Sequence, residues 1–227
     1  MNLTELYNNL YKRSIDDIRN GNNTIDWLID DKNDKRRGLT VLIRPNDNVM
    51  EAIARFQHEL MLIDKEQYYQ PLADMHITVL SIISCDDGFD LGQIDTSKYI
   101  RLFEESAKNI MDIGLHFQGI STSPEAVMIQ GFPLSAGLER FRNQLRKNFK
   151  ASALQQTIDE RYRLITAHIT AVRFRKQIRV PQEFAERLES YRDVDFGSFK
   201  PKEIELVYND WYQKNHIVKT LHKISLQ

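Results

Sequence analysis

Two tetrads of the same spelling, His76-Ile-Thr-Val79 and His168-Ile-Thr-Ala171, stand 92 residues apart in a chain of 227. Each lies inside an apolar run that reads as a β-strand. Residues i and i+2 of an extended strand share a face, so His76 projects with Thr78 and His168 with Thr170. Ile77, Val79, Ile169 and Ala171 then turn the other way, into a core. Polar pairs in apolar strands cost free energy unless they are hydrogen-bonded or wet. A solvent-filled cleft between the two strands satisfies both pairs at once. One such tetrad arises by chance in about one chain in twenty of this composition, and two in about one in a thousand, so the repetition marks a site.

The remaining pattern supplies the frame. Leu3, Leu6, Leu10, Ile15 and Ile18 have helical spacing, ended by Asn20-Gly21-Asn22-Asn23, and a polar run from Asp30 to Arg37 follows. Residues 1–37 therefore read as an N-terminal helical extension, and 38–227 as a single domain. Leu39 to Arg44 is a strand closed by Pro45. Val49, Ile53, Phe56, Leu60 and Ile63 form one helical stripe, with Asn46 or Asp47 as N-cap. Met75–Ile82 is a strand and Ser97–Met111 a helix. Ile113–Gly119 and Ala126–Gly131 are strands joined through a hairpin loop at Ser121–Pro124. Leu134, Leu138, Phe141, Leu145 and Phe149 make a further helical face, opposite a basic face of Arg142, Arg146 and Lys150. Ala167–Phe174 is a strand, Pro181 opens a short helix, and Glu203–Tyr208 and Ile217–Leu226 are strands separated by a polar loop. This order predicts an α+β domain with helices outside a largely antiparallel core.

A formal net charge of −1 argues against the overall basicity of general nucleic-acid binders and favours a small nucleotide or RNA end over a long duplex. Cys85 is the only cysteine, which excludes a disulfide framework and a Cys-rich zinc site and suits a reducing compartment. No stretch has the apolar length of a membrane span and the start lacks a signal-peptide pattern, so a cytoplasmic location without membrane association is expected. Oligomeric state is not encoded in any motif.

Two imidazoles with pKa near neutrality suit phosphodiester cleavage by in-line displacement. One takes a proton from the attacking oxygen and the other gives one to the leaving oxygen. The threonine hydroxyls donate to non-bridging phosphoryl oxygens as charge develops. No metal or cofactor is required; Asp74 with His76 and one distant histidine makes a poor ligand set. On these two tetrads, their spacing and the element order from about Arg37 onward, the chain resembles the two-histidine (2H) phosphoesterase superfamily and, within it, the 2′-5′ RNA ligase-like and cyclic phosphodiesterase group. The resemblance implies two pseudo-symmetric antiparallel-sheet lobes around a central cleft. It also implies cofactor-free cleavage of 2′,3′-cyclic or 2′-5′-linked ribonucleotide phosphodiesters, with His76 and His168 as the acid/base pair and Thr78 and Thr170 as phosphate ligands. A small cyclic phosphate or signalling nucleotide as substrate, or a non-catalytic nucleotide-binding module, are the alternative readings.

Relatives in this group place an aromatic residue shortly before the last strand to hold base or sugar. Here the region reads Trp211-Tyr-Gln-Lys-Asn-His216, and the match by spacing is His216, with Tyr212 nearby. Arg173, five residues after His168, falls on the opposite face by strict alternation, which favours a structural ion pair unless a bulge reorients it. Arg44, sharing a face with Thr40 and Leu42 at the end of the first strand, reads either as an ordinary surface arginine or as a group that reaches a phosphate at the cleft mouth. Arg161, Arg163, Arg173, Arg175, Lys176 and Arg179 occupy a stretch free of acidic residues, a candidate cationic rim. Lys32, Lys35, Arg36 and Arg37, offset by nearby aspartates, read as a solvated linker.

Overall fold

A computed structural model describes residues 2–108, 110 and 112–226. Helix α1 (Leu3–Arg19) starts at Asn2, whose side chain accepts from the Glu5 amide while the Glu5 carboxylate accepts from the Asn2 amide. Strand β1 (Arg36–Ile43) leads into α2 (Asp47–Ile63), capped by Asn46. Short β2 (Tyr68–Tyr69), β3 (Ile77–Asp87) and α3 (Thr96–Ala107) follow. Asp95 caps α3, which ends before the expected Met111; Asn109 and Met111 lie outside the described residues. The rest comprises β4 (Leu115–Ser123), β5 (Ala126–Pro133), α4 (Gly137–Ala151), β6 (Ile169–Arg173), α5 (Pro181–Ser190), β7 (Asp195–Phe199), β8 (Glu203–Asp210) and β9 (Lys219–Ser225).

The strands form two antiparallel sheets, ordered β3-β1-β8-β9 and β2-β6-β5-β4-β7. This is the predicted α+β class with two antiparallel-sheet lobes. The helices cross over between them. Helix α2 leaves the first sheet through β1 and packs on β6, β7 and α5 of the second. Helix α4 leaves the second sheet through β5 and packs on β3 and α3. Each motif strand is thus backed by a helix that springs from the other lobe. Among the described residues no helix is long and apolar enough to cross a membrane.

Several local expectations are revised. The β4–β5 connection is only residues 124–125, because Ser121 and Thr122 belong to the strand. Both are fully buried beneath α1, where Ser121 Oγ donates to the Tyr7 carbonyl (2.8 Å) and Thr122 Oγ1 meets Ser14 Oγ (2.8 Å). Polar side chains satisfied by a covering helix look like a loop when only polarity is read. Strands β2 and β7 were not expected; the first has two residues, and the second is an edge strand with Gly197 at φ 101°. Leu134 precedes α4 and is exposed. The basic face of α4 is not a solvated face. Arg142 and Arg146 are buried, and only Lys150 of the three is exposed.

Candidate functional site

His76 and His168 each sit one residue before a motif strand, β3 and β6. Burial alternates as the sequence pattern demands. His76, Thr78, His168 and Thr170 are half-buried, while Ile77, Val79, Ile169 and Ala171 are buried. All four polar side chains line one cleft between the sheets.

Both strands bulge at the residue after the threonine. Leu80 and Thr78 pair with consecutive residues Val41 and Leu42 of β1, leaving Val79 without a place in the ladder. Val172 and Thr170 likewise pair with consecutive Val127 and Met128 of β5, leaving out Ala171. A bulge shifts the alternation by one. On β6 this brings Arg173 to the His168 face, contrary to the strict-alternation expectation, and Arg173 lines the cleft. The expected ion pair also forms, Arg173 Nη1 to Asp26 at 3.1 Å. Its Nε is buried without a partner among the described groups.

His76 Nδ1 lies 2.9 Å from the Asp74 carbonyl. A carbonyl only accepts, so Nδ1 carries the proton and Nε2 keeps its lone pair in the neutral ring. His168 Nδ1 lies 2.9 Å from Thr166 Oγ1, a hydroxyl that can donate or accept, so both tautomers are open to it. Enclosure by protein pushes the His76 pKa down from 6.5 to about 3, with the charges of Arg44, His168 and Arg173 acting in the same direction against the Asp74 hydrogen bond. His168 is pushed down to about 4, again mainly by desolvation, then by Arg173 and Arg142. Both rings are therefore neutral at pH 7.

The chain is similar to proteins already known. No family model matches the chain. An RNA 2′,3′-cyclic phosphodiesterase of Methanocaldococcus jannaschii is 29% identical over 174 residues, covering 70% of this chain and 84% of that protein. The chain is thus similar in sequence to a cyclic phosphodiesterase. Solved structures share the fold. TT0787 of Thermus thermophilus aligns with TM-score 0.63 at 16% identity, over 83% of this chain and 97% of that one. E. coli LigT complexed with 3′-AMP aligns with TM-score 0.55 at 13% identity, over 85% and 99% respectively.

Other side chains fall differently from expectation. Arg44 does not line the cleft. It donates to the Met75 carbonyl (3.2 Å) and pairs with Glu205 (3.6 Å), bracing the approach to His76 from outside. His216 is exposed in the β8–β9 loop and is also absent from the lining. The loop instead presents Trp211, Tyr212 and Gln213 to the cleft. Tyr212 is buried and its hydroxyl is committed, donating to Asp26 (2.6 Å) and accepting from Arg36 (3.2 Å). Trp211 and Tyr162 are the exposed aromatics of the lining, and the Arg36 and Arg161 guanidinium groups stand 5.2 and 5.3 Å from the Trp211 ring centroid. Arg36 is therefore part of the fold and not of a solvated linker.

The cationic stretch is largely neutralised. Arg161 pairs with Asp86, Arg163 with Glu139, Arg175 with Asp30 and Lys176 with Glu66. Of its six cations only Arg161 and Arg173 line the cleft. Sequence reasoning passed over Gln213, which stands at φ 58° with a buried Oε1 lacking a described partner. A non-glycine residue in the left-handed region beside a cleft is a recognisable functional signal, but it is invisible before the loop is folded. Cys85 lines the inner end, its thiol pushed up to about 12 by burial, which makes it a packing group and not a nucleophile.

Proposed function

We propose that the chain is a metal-independent phosphodiesterase that opens 2′,3′-cyclic or 2′-5′-linked ribonucleotide phosphodiesters, with His76 and His168 as general acid and base. The observation that carries this reading is the convergence of two His–Thr pairs on one cleft, each ring anchored through Nδ1 so that Nε2 is free for the substrate. In the cleavage one neutral imidazole takes a proton from the attacking water or hydroxyl. The other, protonated as the anionic substrate enters, returns a proton to the leaving ribose oxygen. Thr78 and Thr170 donate to the non-bridging oxygens, and Arg173 supplies fixed positive charge on the same face. The name of the M. jannaschii relative supports a 2′,3′-cyclic substrate, and the 3′-AMP complex of LigT supports a nucleotide-sized occupant. Trp211, exposed at the mouth, offers a surface on which a nucleobase stacks.

The test is hydrolysis of 2′,3′-cyclic nucleotides and 2′-5′-linked dinucleotides in the presence of EDTA. Product should form without added metal, and His76→Ala and His168→Ala should each lower kcat by about 100-fold or more. Full activity in either variant, or strict dependence on a metal, would overturn the reading.

A further inference from the structure

The two bulges turn carbonyl groups out of the strand ladders, and the molecule satisfies them unequally. Behind β6 the Ala171 carbonyl accepts from the Gln57 side-chain amide on α2 (2.8 Å) and from the Gln70 backbone amide (2.9 Å). Behind β3 the task falls to a guanidinium. Arg142 on α4 donates from Nε to the Val79 carbonyl (2.8 Å) and from Nη2 to the Thr78 carbonyl (2.9 Å). The same group donates from Nη2 to the Thr166 carbonyl (2.6 Å) and from Nη1 to the Ile165 carbonyl (3.1 Å). Thr78 and Val79 belong to the first motif strand, and Ile165 and Thr166 lead directly to His168. One planar group therefore spans the two halves of the cleft from behind, where neighbouring carbonyls would otherwise face one another without donors.

This is an unusual way to hold a cation. Arg142 is fully buried, and Glu139, whose charge it feels, is turned towards Arg146 and Arg163. Desolvation pushes its pKa down to about 10, so it stays charged at neutral pH. Behind β6 the neutral Gln57 amide serves two carbonyls, those of Gln70 and Ala171, whereas behind β3 one charged group serves four.

We propose that Arg142 is a positioning residue of the cleft, fixing the spacing between the Thr78 strand and the His168 segment and supplying a fixed positive charge behind the phosphate site. The proposal rests on the phosphodiesterase reading for its kinetic consequences, but not for its effect on His168. A lysine keeps the charge and loses the four-point bracket; a methionine loses both.

Arg142→Lys and Arg142→Met are compared with wild type by circular dichroism melting, steady-state hydrolysis of 2′,3′-cyclic AMP, and proton NMR titration of the His168 ring over the pH range in which the fold is intact. A displacement of reacting groups by about 1 Å costs on the order of 100-fold in rate. We therefore expect kcat to fall on that order in the lysine variant and further in the methionine variant, with KM changing less. His168 should titrate at higher pH in the methionine variant and near its wild-type position in the lysine variant. A folded variant with kcat within about twofold of wild type, a rate loss that merely follows the unfolded fraction, or an unmoved His168 in a folded methionine variant overturns the proposal. If the methionine variant does not fold, kcat of the lysine variant decides. If wild type itself fails to hydrolyse the substrate, the phosphodiesterase reading falls, and the His168 titration alone decides the role of Arg142.

Discussion

Because an enclosed imidazole loses hydration that its charged form needs, His76 and His168 resist protonation, their pKa values pushed down from an ordinary 6.5 to about 3 and about 4. The unfolded chain binds protons at these two positions near pH 6.5, while the folded chain does not until well below pH 5. Between those limits the unfolded state holds more protons, so unfolding free energy rises with pH and is lost on acidification. Urea unfolding at pH 7.5 and pH 5.0 should show a smaller decrease for the His76→Gln/His168→Gln double variant than for wild type. An identical decrease in both would show that the histidines are not held neutral. Which side chains share a face was legible from alternation alone, since His76, Thr78, His168 and Thr170 are set by the two-residue period of a strand. Arg173 was not, because its face depends on the bulge at Ala171. A bulge is a property of the pairing with β5, and a single strand's sequence carries no record of it.

At the level of elements, α1 decides how the second motif strand is approached. Tyr7 is fully buried, and its hydroxyl donates to the Gly131 carbonyl (3.2 Å) and accepts from the amides of Gly131 and Ala167 (both 3.3 Å). Burial pushes the phenol up to about 12, so the proton needed for the donated bond is present at any working pH. One side chain of the N-terminal helix thus pins β5 to the residue before His168. Replacing Tyr7 by Phe keeps the ring and strands three buried backbone groups, at about 1–3 kcal/mol for each that finds no other partner. We expect the urea midpoint to fall accordingly with little change in slope, and an unchanged midpoint would remove α1 from this role. The helix itself was legible from its leucine and isoleucine spacing. Its docking was not, because the surface it covers includes Ser121 and Thr122 on β4, whose burial depends on partners more than a hundred residues away. Buried arginines escape sequence reading for the same reason. Arg142 and Arg146 look solvated until the carbonyls they serve are in place.

For the molecule as a whole, the crossing of α2 and α4 makes the two lobes interdependent. Each sheet buries its motif strand against a helix whose preceding strand lies in the other sheet. Arg142 and Gln57 carry that exchange to the bulged carbonyls themselves. The segment between α1 and β1 adds a third tie. Asp26 accepts from Arg173 of β6 and from the Tyr212 hydroxyl in the loop after β8, while the Ile29 carbonyl accepts from Lys214. Neither sheet can lose its packing without exposing apolar surface and orphaned backbone acceptors in the other, so the lobes should not unfold one at a time. Far-ultraviolet dichroism, Trp211 fluorescence in a Trp27→Phe background, and NMR intensities from β8 in one sheet and β5 in the other should follow one urea transition with a common midpoint. Separated midpoints for the two sheets would mean that the lobes are autonomous and that the crossed helices contribute little to holding the cleft closed.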